Sequence, residues 1–204
     1  MSVELSRGTV AGVVLAAGTS SRMGHNKLFV SLRGESALRR AVRTALAAGL
    51  EPVLVVLGHE SERARAELRG LDCTPVLNPD YAQGINTSLR AGIAAVPEAA
   101  AAALVMLGDM PFVTRAMLEA VVARYRSGTS RLVVSNYGGV DAPPMLYARS
   151  LFEEIRALDG DGCGKKVVKR HRDECLEVAW PAKALQDMDV PADVDAVLAE
   201  LEGA

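Results

Sequence analysis

The chain has 204 residues, half of them apolar, and 23 Lys and Arg against 25 Asp and Glu leave a net charge of −2. That is length for one domain with a full core, spanning 1–204, and its scattered, balanced charge gives no nucleic-acid footprint. No apolar run approaches the roughly 18 residues of a membrane helix, the first residues lack a signal peptide's basic and apolar regions, and the odd count of three cysteines (Cys73, Cys163, Cys175) points to a reducing cytoplasm.

In chain order, the first element is an apolar run over 10–16, broken only by Gly12, which reads as a buried parallel strand. It ends at Ala17-Gly18 and gives way to small and polar residues, then to two cations, Arg22 and Lys27. A strand running into a glycine-rich turn offers backbone N–H groups at the carboxyl edge of a sheet, and the two cations add fixed positive charge, a combination suited to a polyphosphate. The spacing is not that of the P-loop, which places its lysine directly after the second glycine. A helix over 35–48 follows, with Leu38, Val42, Ala45 and Leu46 on one face. Then come a strand over 52–57, a charged helix over 60–68, a strand over 73–77 and a helix over 85–95.

The apolar strand 103–107 runs directly into Gly108-Asp109-Met110-Pro111. Asp109 reads either as a cap for the helix 114–126 or as a functional carboxylate, which at the end of a buried strand needs a cation, a metal or water. Thr114 is the other candidate cap for that helix. A strand over 131–136 precedes a tract over 137–144 whose two glycines and two prolines read as an excursion from the sheet. The remaining expectations are a strand at 144–147, helices at 149–158 and 164–171, a strand at 175–180 and a final helix at 192–201. The acidic cluster Asp187, Asp189 and Asp193 lies at the start of that helix, where Asp189 or Asp193 reads as its cap and the cluster alternatively as a source of ligands. The alternation of strands and helices predicts a three-layer α/β/α, Rossmann-like fold on a mostly parallel sheet. Two carboxylates and a phosphate cradle at strand ends match what Mg²⁺ on a nucleotide requires.

These residues resemble the molybdenum-cofactor nucleotidyltransferases, and most closely their cytidylyltransferase branch. The likeness rests on LAAGTSSRMGHNKL at 15–28, NPDYAQGINTSLRAGI at 78–93, GDMP at 108–111, PPMLY at 143–147, GDGCGKK at 160–166 and DMDVPADVD at 187–195, in family order. The resemblance implies a nucleotide-diphospho-sugar transferase type of fold. It implies that Leu15, Ala16, Ala17 and Gly18 line the base and ribose, Ala17 going with a pyrimidine. Gly18, Arg22 and Lys27 would hold the triphosphate, and Gly84 and Ser88 would close over the base. Asp109 and Asp189 would coordinate Mg²⁺, and Arg22, Lys27 and Asp109 would form the catalytic group. The implied reaction moves CMP from CTP to the phosphate of molybdopterin, with a molybdenum hydroxylase as the eventual recipient of the cofactor.

The chain departs from that pattern at Pro143-Pro144, where a His-Pro pair is usual, and at Cys163-Gly164-Lys165, which replaces a small pair and its basic neighbour. Both departures lie on the acceptor side, where Lys165, Lys166 and Lys169 either grip an anion or form a solvated face. Transfer to another phosphorylated acceptor, a nucleotide-binding oxidoreductase and a non-catalytic cofactor-delivery protein are the competing readings. The second lacks a G-x-G-x-x-G after the first strand, and the third has no use for the two aspartates. Asp159 and Asp161 hint at a calcium loop, but an EF-hand's twelfth position is Arg170; Cys163, His171 and Cys175 lack zinc spacing. His59 and His25 read as peripheral, and Tyr147 and Trp180 as core.

Overall fold

The computed structural model describes residues 8–19 and 26–185. Its strands are β1 (Thr9–Ala16), β2 (Ser31–Leu32), β3 (Glu35–Ser36), β4 (Val53–Leu57), β5 (Thr74–Leu77), β6 (Ala100–Leu107), β7 (Leu132–Tyr137), β8 (Val140–Ala148) and β9 (Leu176–Trp180). The helices are α1 (Ala37–Ala47), α2 (Ser61–Glu67), α3 (Ile85–Ala94), α4 (Arg115–Ser127), α5 (Phe152–Arg156) and α6 (Lys165–Arg170). Seven strands form one sheet in the order β5-β4-β1-β6-β8-β7-β9, and β2 pairs with β3. Four neighbouring pairs are parallel, and β8 alone runs against both of its neighbours.

The inner strands of the sheet are buried on both faces, and the alternation of side chains along them supplies two cores. From β1, Val10, Val14 and Ala16 meet Leu38, Val42 and Ala45 of α1 and Leu118 and Val121 of α4. The alternate residues Ala11, Val13 and Leu15 meet Leu89 and Ile93 of α3, Phe152 and Ile155 of α5, and Val167 and Val168 of α6. This is the three-layer α/β/α arrangement expected from the element rhythm.

Differences in the boundaries have local causes. The first helix begins at Ala37, because Ser36 serves as its N-cap, its hydroxyl accepting from the Arg39 N–H, while Glu35 and Ser36 pair with β2. Of the expected helix over 149–158, only Phe152–Arg156 is α-helical, preceded by a 3₁₀ turn at Arg149–Leu151. The tract over 137–144 is not an excursion: it is a hairpin inside the sheet. Gly138 and Gly139, at φ of 59° and 99°, form its two-residue turn, a backbone open to glycine at little cost. The prolines sit where the β7–β8 register shifts, and the freed carbonyls find partners. Ser135 Oγ donates to the Pro144 carbonyl at 2.7 Å, and Tyr137 OH donates to that of Pro143 at 3.0 Å. The expected helix at 192–201 lies outside the described residues.

Candidate active site

β1 is the topological switch point of the sheet: from it the chain order runs outward through β4 on one side and β6 on the other. In open α/β sheets ligands bind beyond the carboxyl ends of the strands at such a point. Here the Gly108 N–H donates to the Leu15 carbonyl at 2.9 Å, fastening the two strand ends, and the His59 N–H donates to the Ala17 carbonyl at 3.3 Å. Above them opens a cavity of about 710 Å³. Its walls are Leu15 to Thr19, Lys27 and Leu28, Leu107 and Asp109, the segment Tyr81 to Ile85 with Ser88, and Asp161.

Two charges meet on its wall. Lys27 Nζ lies 2.5 Å from Asp109 Oδ2, with only 17% and 14% of the two side chains exposed. Lys27 opens a 3₁₀ turn whose N-cap is buried Asn26, its Oδ1 accepting from the Leu28 N–H at 3.2 Å. The capping reading of Asp109 is resolved by geometry: Thr114 Oγ1 accepts from the Met117 N–H at 3.3 Å and caps α4 itself. A half-enclosed carboxylate is costly without a partner, and Lys27 supplies one.

The opposite wall is the start of α3. Gly92 lets this helix sit close against the sheet, since a Cβ there would lie 2.4 Å from Val13 Cγ1. Buried Asn78 then fixes the first turn. Its amide donates to Thr87 Oγ1 at 2.9 Å and to Ser88 Oγ at 3.0 Å, and its Oδ1 accepts from the Asp80 N–H. Gly84 at φ 113° turns the chain into the helix with no room for a side chain, because a Cβ would stand 2.5 Å from Asp161 Oδ1. Asn86, 1% exposed, staples the 159–164 loop to α3. Its amide donates to the Asp159 and Asp161 carbonyls at 3.1 and 3.2 Å, and its Oδ1 accepts from the Gly164 N–H at 3.1 Å.

The helix that follows this loop borders a second cavity of about 510 Å³, lined by the β7–β8 hairpin residues Gly139 to Asp141, Met145, Arg172, and Lys165, Val168 and Lys169 of α6. Asp161 reaches the first cavity and Lys165, four residues on, the second. Between them burial pushes the Cys163 thiol up to about 12, the Lys165 ammonium opposing the rise and the Asp109 carboxylate adding to it. Such a thiol stays protonated and is no nucleophile.

Eight of the residues singled out in the sequence therefore line one cavity: Leu15, Ala16, Ala17, Gly18, Lys27, Gly84, Ser88 and Asp109. Arg22 and Asp189 lie outside the described residues, as does His25. Sequence reasoning did not select Asp161, nor the buried amides of Asn78 and Asn86 that hold the cavity's far wall. The signal for Asp161 was present in its Gly-flanked motif, which pattern matching reads first as a calcium loop.

Known proteins resemble this chain in sequence and in fold. The MobA-like NTP transferase domain family matches residues 12–175. The chain is 31% identical to the purine catabolism protein PucB of Bacillus subtilis, over 91% of this chain and 94% of that protein. It is 27% identical to the molybdenum cofactor cytidylyltransferase of Escherichia coli, over 67% and 69% of the two chains. Among solved structures it resembles Rv0371c of Mycobacterium tuberculosis, with a TM-score of 0.84, 27% identity and coverage of 95% of this chain and 99% of that one. A complex of Rv0371c with manganese matches with a TM-score of 0.77, at 27% identity over 94% and 98% of the two chains. Matched over most of its length, the chain belongs to the MobA-like NTP transferase domain family and is a nucleotidyltransferase.

Proposed function

We propose that this enzyme transfers CMP from CTP to the terminal phosphate of a small acceptor, molybdopterin being the acceptor of choice, and releases pyrophosphate. The observation that carries the reading is the Lys27–Asp109 pair set at the carboxyl end of β1 and β6, on the wall of a cavity large enough for a nucleotide. Ala17 and Gly18 present the backbone of the strand end to the base and ribose, and Gly84 and Ser88 close from the α3 side. Lys27, with Arg22 five residues before it in the sequence, neutralises the triphosphate.

Asp109 suits a magnesium ion. Its carboxylate is a hard oxygen donor on the cavity wall, and Mg²⁺ takes one or two carboxylates and completes its shell with substrate phosphates and water. The family pattern supplies Asp189 as the second carboxylate, and the existence of a manganese complex of the similar Rv0371c supports the use of a divalent ion. When bound, the ion would neutralise phosphate charge as it develops. The chain itself contributes position. An acceptor phosphate oxygen attacks the α-phosphorus as the bond from that phosphorus to the bridging oxygen breaks, and the electron pair leaves with pyrophosphate. Lys27 stands where it can meet the departing charge.

The second cavity supports an acceptor entry on the α6 side. Lys165 and Lys169 offer charge to an anion, and Met145 and Val168 offer an apolar floor to a flat ring system. The reading is tested by incubating the enzyme with Mg²⁺, each of the four nucleoside triphosphates and molybdopterin, and following product by mass spectrometry. The expected product is the cytidine dinucleotide form of the cofactor. A cofactor product carrying a different nucleotide would contradict the CTP reading, and no nucleotidylated product from any pairing would contradict the proposed acceptor.

A further inference from the structure

We infer that Asp161 reads the 4-amino group of the base and makes this cavity select cytidine over uridine nucleotides. The inference rests on the reading that the cavity takes a nucleoside triphosphate with its base at the Gly84–Ser88 wall.

Asp161 is built into that wall. Buried Asn86 grips the carbonyls of Asp159 and Asp161 and the N–H of Gly164, and Arg90 Nη1 donates to the Leu158 carbonyl at 3.2 Å. The carboxylate is anchored in turn by the Ile85 N–H, which donates to Oδ1 at 3.2 Å, and Gly84 lacks the side chain that would push it away. Among the described residues, the acidic side chains on this cavity are Asp109 and Asp161. Asp109 faces Lys27, so Asp161 is the carboxylate on the base side.

A carboxylate has about four acceptor positions and no donor, and the Ile85 amide uses one of them. Cytosine and uracil share a 2-carbonyl oxygen and differ at position 4, where cytosine carries an amine and uracil a second carbonyl. Ser88 cannot tell them apart. Its Oγ accepts from the Asn78 amide, which leaves its proton for the oxygen both bases share. Asp161 can. It is an exposed carboxylate at the cavity rim that meets a donor in cytosine and an acceptor in uracil, so it gains a charge-assisted hydrogen bond from the first and repels the second.

The test is calorimetric binding of the α,β-methylene analogues of CTP and UTP in Mg²⁺, so that neither turnover nor acceptor is involved. Wild type is expected to favour the cytidine analogue by about 10- to 100-fold. Asp161→Asn keeps an oxygen for the Ile85 N–H and replaces the other with a donor, so the ratio falls to about one or inverts. A purely structural role in anchoring α3 would leave the ratio unmoved. The same contact is probed on the unaltered protein with the pyrimidin-2-one analogue, which lacks the 4-amine and is expected to lose the same 10- to 100-fold in affinity. Equal binding of cytidine and uridine analogues by wild type, a ratio unchanged by Asp161→Asn, or full affinity for the pyrimidin-2-one would overturn the inference alone. Binding of no analogue by wild type would overturn the nucleotide site itself.

Discussion

Lys27 and Asp109 answer each other's charge at 2.5 Å, and neither is enclosed without the other. Removing the lysine leaves a half-buried carboxylate with its principal cation gone and takes positive charge from the phosphate side of the cavity. Lys27→Ala is therefore expected to lower kcat/KM for nucleotidyl transfer by about 10²–10³, the usual cost of losing one preorganised charge or donor at a reacting group. Steady-state pyrophosphate release measures it, and a loss below tenfold would argue that Lys27 only pins Asp109. At this scale the sequence was legible where residue type and strand end coincide. Gly18 and Lys27 follow from the glycine-rich turn after the first strand, whereas the lining residues Leu15, Ala16 and Ala17 came with the family resemblance. Asp109 was ambiguous, since an aspartate between a strand and a helix serves as cap or ligand, and the contact of Thr114 with the Met117 N–H removes the capping reading. Asp161 was obscured because its partner Ile85 lies 76 residues away in the chain, a distance that no local pattern spans.

Among the elements, α3 does most to shape the site, and it can do so because Gly92 brings it down onto β1. A methyl group there would stand 2.4 Å from Val13 Cγ1 and 3.0 Å from Val56 Cγ2, inside the sheet's packed surface. Gly92→Ala is expected to cost about 1–3 kcal/mol through overpacking, despite alanine's better helix propensity, and to weaken nucleotide binding as Ser88 and Gly84 are lifted. Denaturant melts give the first number and nucleotide titration the second; a stabilised protein would contradict the close approach. The apolar spacing of Ile85, Leu89 and Ile93 made this helix readable. The β7–β8 hairpin was not, because Pro143 and Pro144 argue against a strand unless a bulge accommodates them, and here Ser135 and Tyr137 reach across to satisfy their carbonyls. That hairpin puts Asp141 and Val140 beside α6, so the misread tract is the one that forms the second cavity.

The whole molecule is a sheet sandwiched by two helical layers, and an ion-pair network ties one layer to the sheet's edge. His171 Nε2 lies 2.7 Å from Glu154 Oε2 on α5, and its Nδ1 lies 2.5 Å from Glu174 Oε1. Arg170 on α6 and Arg131 before β7 hold the same two carboxylates. The hydrogen bond to Glu154, then that to Glu174, raises the imidazole above its usual 6.5, against partial burial and Arg131. In Glu154 burial works upward, but His171 and Arg170 outweigh it and hold the carboxyl below 4.5; His171 and Arg131 do the same for Glu174. The raised base stabilises the fold fully below 6.5 and loses its effect as pH climbs through the raised value. The lowered acids stabilise above 4.5 and lose their effect as pH falls through theirs. The network is thus strongest between about 4.5 and 6.5. The melting-temperature deficit of His171→Gln should be greatest in that window and shrink toward alkaline pH, and a deficit that grows with pH would show the histidine acting uncharged.

The proposed transfer from CTP would run through the Asp109 side of the β1–β6 crevice. Its most direct test is pyrophosphate release with CTP, Mg²⁺ and molybdopterin by wild type and by Asp109→Ala. The account predicts release by the wild type that needs the divalent ion and falls at least about 10²-fold in the variant. Release that proceeds at the wild-type rate without the Asp109 carboxylate, or that is absent from the wild type altogether, would contradict it.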